Sequence, residues 1–181
     1  MSTAHTTAPE TTAIPTGTFG LDPVHSSIGF AVKHSGVMTF KGSFGAYDAE
    51  LVAGRLEGRA DVSSVEVDDP NLVGHLQTPD FFDAERFPQL RFVSSSIERD
   101  GDVVSIAGDL TLRGETRPVE LAGTIAGPIT DGYGKQRLGL DLETTINRRD
   151  FGIDWSAELP GGGQMLADDV LITANLALVQ S

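Results

Sequence analysis

The chain has 181 residues, and 13 Lys and Arg against 26 Asp and Glu give it a formal net charge of −13. This length fits one domain with its own hydrophobic core, and the negative charge disfavours binding to nucleic acid. The sequence contains no cysteine, which excludes disulfides, thiolate catalysis and zinc–thiolate or iron–sulfur sites. It also lacks an apolar run of about 18 residues, so we expect no membrane-spanning helix and no stable membrane insertion.

Residues 1–16 are rich in Thr, Ala and Pro and carry one formally charged side chain, Glu10. They show neither the basic start nor the apolar stretch of a secretory signal. We therefore expect a disordered N-terminal arm over residues 1–16, a β domain over residues 17–181 and a cytoplasmic location.

From residue 19 onward, apolar and polar side chains alternate along the chain. The clearest alternating segments are residues 28–32, 56–62, 104–112, 138–146 and 170–178. One apolar and one polar face per segment is typical of antiparallel sheet. Glycine-containing turns divide the domain into about eight strands, which predicts a closed barrel or a sandwich.

One region departs from this alternation and predicts a helical insertion. Asp69 and Pro70 supply a capping residue and a proline at the first helical position. Leu72, Val73 and Leu76 then follow at helical spacing. Residues 78–82 repeat the cap-and-proline pattern, so we expect a second short turn of helix there.

Four segments, in order, resemble the YceI-like family. They are LDPVHSSIGF at 21–30, HLQTPDFFD with FPQLRF between 75 and 92, GDLTLRGETRPV at 108–119 and INRRDFGI at 146–153. The resemblance covers residues 17–181. It implies a lipocalin-like fold, an elongated antiparallel β-barrel with a helical insertion, and binding of a polyisoprenoid or fatty-acyl chain along the barrel axis.

The inward apolar rows are able to line such a binding cavity. The candidate lining residues are Ile28, Phe30, Val32, Phe92, Leu110, Leu112, Leu140 and Leu142. Gly108 belongs to the same row as Leu110, and we expect its missing side chain to leave room inside the barrel. A filled core has the same pattern, so a barrel without a cavity stays open as the alternative.

His34 and His75 are candidate polar contacts for a ligand. His34 shares the alternation of the first apolar row and is expected to face inward. His75 lies on the helical insertion, where it covers the barrel mouth. The alternative for both is a structural histidine that hydrogen-bonds within the protein.

Arg148 continues the inward row of the 138–146 segment. Its planar guanidinium fits a pyrophosphate, or it forms an internal salt bridge to Asp150, Asp154 or Glu143. No pair of histidines is spaced as His-x-His or His-x₃-His, so we expect no metal site. The glycines at 161–163 lack the helix and the Lys-Ser/Thr of a phosphate loop, so we expect no cofactor.

We interpret the chain as a non-catalytic protein that binds a polyisoprenoid, or an isoprenoid quinone or pyrophosphate, for carriage, storage or protection. The rival interpretations are a fatty-acid or amide-binding protein, an enzyme with His34 as base and Arg148 as anion clamp, and a structural module. A homodimer is a further hypothesis, because Leu171, Ala177 and Val179 are expected to point outward from the last strand.

Overall fold

The structure, a computed structural model, describes residues 13–181. Its strands are β1 (Thr18–Leu21), β2 (Ser27–His34), β3 (Met38–Phe44), β4 (Tyr47–Val52), β5 (Arg55–Asp61), β6 (Val65–Glu66), β7 (Gln89–Asp100), β8 (Val103–Leu112), β9 (Glu115–Thr130), β10 (Gln136–Asn147) and β11 (Leu166–Gln180). The helical elements are α1 (Pro70–Leu76) and 3-10 turns at Pro23–His25, Val62–Ser64 and Arg148–Phe151. Most of the arm predicted for residues 1–16 lies outside the described residues; Ile14, within its described part, packs against the core.

Eight strands close into an antiparallel barrel in the order β1, β4, β5, β7, β8, β9, β10, β11. The ring closes where β1 pairs with β11, which places Phe19 opposite Gln180 and Leu21 opposite Leu178. The barrel and its short helix confirm the predicted fold class, an elongated all-β barrel of about eight strands with a helical insertion.

At one end of the barrel, β2 and β3 extend the wall beyond β1 and β4. β2 pairs with β11, and β3 pairs with β2 so that Gly42 lies opposite Phe30. The 3-10 turn at Pro23–His25 separates β1 from β2. Proline fixes the backbone angle φ for this turn, and Asp22 Oδ1 accepts a hydrogen bond from Val24 N at 3.1 Å.

Two hairpins use the turn geometry that matches the twist of antiparallel strands. Ala53 and Gly54 have φ of 50° and 77°, and Arg113 and Gly114 have φ of 52° and 74°. Two successive residues with positive φ form a type I′ turn, whose twist follows that of the flanking strands. These turns join β4 to β5 and β8 to β9.

The predicted apolar rows face the barrel interior. In β8, Val104, Ile106, Leu110 and Leu112 are buried together with Gly108, and the residues that alternate with them are more exposed. The same holds for the row from Leu138 in β10. Pairing of these rows around the ring produces the hydrophobic core.

The helical insertion begins as predicted and continues differently. Asp69 Oδ1 accepts a hydrogen bond from Asn71 N at 2.9 Å, so Asp69 caps α1. The second helical turn expected at residues 78–82 is wrong: this segment forms irregular hydrogen-bonded turns. Thr78 Oγ1 donates back to His75 O at 2.6 Å and terminates α1 instead of capping a new helix.

Candidate functional site

A cavity of about 250 Å³ lies inside the barrel at the end formed by β2, β3 and the helical insertion. Of the predicted site residues, those that line it are Ile28, Phe30, Val32, His34, His75, Leu110, Leu112 and Arg148. Protein interiors leave few voids larger than a water molecule. An apolar cavity of this size is therefore a candidate ligand site.

A smaller cavity of about 70 Å³ lies further along the barrel. Four residues line both cavities and form the boundary between them, which we call the constriction: Ile28, Leu90, Leu110 and Ile172. Phe92 and Leu142 line only the smaller cavity. Leu140 lines neither cavity and is buried in the packed core.

Phenylalanine rings form one wall of the larger cavity. The ring centroid of Phe30 lies 5.8 Å from that of Phe44 and 6.3 Å from that of Phe82, with Phe82 edge-on. Gly42 leaves the surface of β3 open to the Phe30 ring, which a side chain at position 42 would overlap. Sequence reasoning missed Phe40 and Phe44, although they alternate with Gly42 on one face of β3.

The helical insertion contributes a second aromatic group at the cavity. The His75 ring stands edge-on to Phe81 and Trp155, with centroid distances of 4.9 and 5.4 Å. His75 Nε2 lies 3.0 Å from Asp80 Oδ2. His75 is thus held at the cavity wall by both aromatic contacts and a carboxylate, and sequence reasoning missed Trp155.

His34 lies at the end of β2, beside the same cavity. Its backbone is paired with Met38 in β3 and with Leu166 in β11. Its Nδ1 lies 3.2 Å from Ser35 Oγ. Among the hydrogen bonds of residues 13–181, none uses His34 Nε2, so this nitrogen is able to donate to or accept from a ligand.

Arg148 is buried at the far end of β10, with 2% of its surface exposed. Its guanidinium donates to backbone carbonyls: Nε to Ala167 O at 2.8 Å, Nη1 to Ile153 O at 2.8 Å and Trp155 O at 2.7 Å, and Nη2 to Leu166 O at 3.3 Å. Nη2 also lies 3.6 Å from Asp168 Oδ1. Burial lowers the pKa of Arg148, and the nearby positive charge of Arg149 adds to this effect.

These hydrogen bonds hold the segment between β10 and β11 against the cavity. Ile153, Trp155 and Met165 from this segment line the cavity, together with Leu166 at the start of β11. The internal salt bridge weighed in the sequence analysis for Arg148 involved Asp150, Asp154 or Glu143. The carboxylate within 4 Å is instead that of Asp168, and carbonyl oxygens accept the main hydrogen bonds.

The opposite end of β10 carries a separate charged group. Arg137 Nε donates to Asp131 Oδ2 at 2.7 Å, and its Nη1 donates to Asp22 Oδ2 at 3.0 Å. The hydrogen bond from Arg137 lowers the pKa of Asp131 to about 2. The hydrogen bond from His25, followed by that from Arg137, lowers the pKa of Asp22.

The histidines of the domain do not converge. His25 lies beside Asp22 at the start of β2, His34 lies at the end of that strand, and His75 lies on α1. In the part of the chain that the structure describes, no three His, Asp or Glu side chains are placed to hold a metal ion. Among residues 13–181, the helices are too short and too polar to traverse a bilayer.

Known proteins share both the sequence and the fold of this chain. The model of the YceI-like domain matches residues 19–178, and YceI of Escherichia coli O157:H7 is 32% identical over 136 residues, which is 71% of either chain. The crystal structure of Campylobacter jejuni YceI has a TM-score of 0.72 at 25% identity, covering 82% of this chain and 90% of that one. A polyisoprenoid binding domain from Saccharophagus degradans has a TM-score of 0.70 at 13% identity, over 90% and 98% of the two chains, which shows a shared fold. With the family's model matched over nearly the whole barrel, this chain belongs to the YceI-like family.

Proposed function

We propose that this protein binds a long-chain apolar lipid, a polyisoprenoid or a fatty-acyl chain, inside the barrel and does so without catalysis. The observation that carries the proposal is the apolar cavity of about 250 Å³ at one end of the barrel. The solved Saccharophagus degradans neighbour is a polyisoprenoid binding domain. Its shared fold supports the same ligand class here.

Burial of apolar surface supplies the affinity in this proposal. The lining is aromatic and aliphatic except for His34, His75, Arg148 and the indole N–H of Trp155. Each Å² of apolar surface removed from water contributes about 25 cal/mol before the costs of association. A ligand of this cavity is therefore mostly hydrocarbon, with few polar atoms.

The arrangement of Arg148 favours binding over catalysis. The rival enzyme interpretation needs Arg148 as an anion clamp beside His34 as a base. The N–H groups of Arg148 are directed at backbone carbonyls, and His34 Nδ1 contacts Ser35. This use of the arginine supports a role in holding the cavity wall.

Native mass spectrometry of the freshly purified protein, paired with an organic extract of the same sample, tests the proposal. We expect one class of long-chain lipid in near-stoichiometric amount. Apoprotein that takes up neither an isoprenoid nor a fatty acid on incubation would refute lipid binding. Turnover of an added lipid would refute the non-catalytic role.

Self-association and location stay predictions. Leu171, Ala177 and Val179 are partly exposed on β11, and a small dimer contact through them is expected. Sedimentation over a wide concentration range checks the dimer, and a monomer at every concentration excludes it. Cell fractionation checks the predicted cytoplasmic location.

A further inference from the structure

The larger cavity has one permanently cationic side chain among the described residues that line it, and this is Arg148. An arginine that binds a phosphate or carboxylate does so through free N–H groups of its planar fork. The availability of those N–H groups therefore decides whether an anionic ligand end has a partner in the cavity.

Arg148 has few N–H groups left to offer. Both hydrogens of Nη1 are directed at carbonyl oxygens of the segment between β10 and β11, and Nε is directed at Ala167 O at the start of β11. Its Nη2 lies 3.3 Å from Leu166 O and 3.6 Å from a carboxylate oxygen of Asp168. An anion that recruited this arginine would leave buried carbonyls without donors and release the segment that forms the cavity wall.

Nearby charges also disfavour an anion. The carboxylates of Asp154 and Asp168 both act on Arg148, and Asp80 contacts His75. Arg149, the next cation along the chain, donates to Asp168 Oδ1 at 2.7 Å. Arg148 and Arg149 are thus already matched by protein acceptors.

His34, in contrast, is able to form a hydrogen bond with an uncharged polar group of a ligand. His34 contacts Ser35 through Nδ1 and lines the cavity, which leaves Nε2 for a ligand. A neutral imidazole nitrogen donates or accepts one hydrogen bond, depending on the tautomer. A hydroxyl, ketone or amide group is able to pair with either form.

We infer that this cavity, if it has the lipid-binding function proposed above, selects lipids whose polar end is uncharged and discriminates against phosphate, pyrophosphate and carboxylate ends. Arg148 holds the cavity wall through the backbone of the segment between β10 and β11. His34 supplies the polar contact to the ligand. The isoprenoid pyrophosphate among the ligands considered from the sequence is thereby disfavoured, and an isoprenoid alcohol, quinone or fatty amide is favoured.

The test compares farnesol with farnesyl pyrophosphate, which share one hydrocarbon chain and differ at the polar end. The full chain is titrated with each compound while the emission of Trp155 is followed, because this is the single tryptophan of the sequence and it lines the cavity. We expect the dissociation constant of farnesol to be lower by about tenfold or more, a difference of about 1.4 kcal/mol. Farnesol binding should be unchanged in Arg149→Gln, which removes the neighbouring surface cation.

Equal or tighter binding of farnesyl pyrophosphate would overturn the selectivity while leaving lipid binding in place. Retention of that binding in Arg149→Gln would place the pyrophosphate on Arg148 itself, and its loss would place it on the surface cation. Either result contradicts the inference. Binding of neither compound, together with apoprotein in the mass spectrum, would instead overturn the proposed function.

Discussion

The ring of Phe92 occupies the space above Gly108 inside the barrel. A Cβ atom at position 108 would overlap the backbone oxygen of Val93 and would lie 2.5 Å from Cζ of the Phe92 ring, which is closer than real side chains approach. The room expected at Gly108 from the alternation is therefore filled by an aromatic side chain of the neighbouring strand β7. A glycine under an aromatic ring recurs at Gly42, beneath Phe30, on the opposite side of the barrel.

Replacing Gly108 by leucine should destabilise the protein. Overpacking of a well-filled core costs about 1–3 kcal/mol, and a smaller loss is expected for Gly108→Ala. Urea denaturation measures both, and the affinity for lipid should change little because Gly108 does not line the larger cavity.

The control for this prediction is Gly139→Ala, since the nearest atom to a Cβ at position 139 is 3.9 Å away. This control should unfold at close to the wild-type midpoint. Gly108→Ala in a Phe92→Leu background should recover only part of the lost stability, because the backbone oxygen of Val93 still overlaps the new Cβ atom. Full stability of Gly108→Leu would show that the ring is readily displaced and contradict the packing argument.

Leu110 is expected to limit the length of the bound chain, because it belongs to the constriction between the two cavities. A cavity of about 150 Å³ holds one benzene molecule, so the larger cavity holds on the order of ten carbon atoms. Leu110→Ala should join the two cavities and shift the preferred ligand from geraniol toward the longer farnesol. A titration series of isoprenoid alcohols measures the shift.

Leu140→Ala is the matched control for this change. Leu140 is as buried as Leu110 but lines neither cavity. Both substitutions should cost about 2–5 kcal/mol of stability, as large-to-small changes in cores do. If the chain-length preference changed in both variants, or in neither, Leu110 would not be the residue that limits the length of the bound chain.

Arg148→Met should loosen the wall of the cavity without removing a ligand contact from its centre. Carbonyls left without a donor cost about 1–3 kcal/mol each when water does not reach them. We expect a lower unfolding midpoint and a red shift of Trp155 emission, because the carbonyl of Trp155 loses its hydrogen bond from Arg148. Arg148→Lys should show a smaller red shift of Trp155 emission than Arg148→Met, since a lysine replaces only some of the planar set of donors.

Arg149→Met serves as the comparison, because Arg149 is half-exposed and pairs with Asp168 at the surface. Its emission spectrum should match that of the wild type. An equal red shift in the two variants would mean that the wall depends on local charge and not on the carbonyl contacts.

Acid should weaken the end of the barrel that holds Arg137. The pKa of Asp131 is lowered from 3.8 to about 2 in the folded state. A group with a lowered folded pKa stabilises the protein above its unfolded pKa and loses this effect as the pH falls toward the folded pKa. Stability from Asp131 should therefore be complete above about pH 4 and decline between about pH 4 and pH 2.

Arg137→Gln removes the cause of this lowered pKa. We expect its unfolding free energy to decline less between pH 5 and pH 2.5 than that of the wild type, with both measured by urea titration at roughly those pH values. Arg117→Gln, from an exposed pair with Glu115, should retain the wild-type dependence. If the unfolding free energies of the wild type and Arg137→Gln declined in parallel with pH, Arg137 would not be the cause of the lowered Asp131 pKa.

The strands were predictable because the alternation of period two is a local property of the chain. Leu110 and Leu140 illustrate the limit of that signal. Both continue inward rows, yet one lines a cavity and the other packs into the core, and the difference depends on which side chains the neighbouring strands bring opposite. Strand register across the barrel is not visible in the rows themselves.

The surroundings of Arg148 were less predictable. Two of its acceptors, in Ile153 and Trp155, belong to the segment between β10 and β11, where the sequence shows neither a helical nor a strand period. The other two carbonyls lie at the very start of β11. Backbone carbonyls are present at every residue, so no residue type marks these as partners. Trp155, which the same segment brings to the cavity, was missed because no period in the segment indicates which of its side chains face inward.

The pairing of β1 with β11 has a consequence for the order of folding. Phe19 meets Gln180 across this seam, so one edge of β1 stays unpaired until β11, the last strand of the barrel, has formed. Until then, β10 and β2 also lack the partner that β11 provides to both, and their apolar rows are open to other chains. The sheet thus stays open until β11 is made, and a chain without the β11 residues that pair with β1 would keep two exposed strand edges permanently.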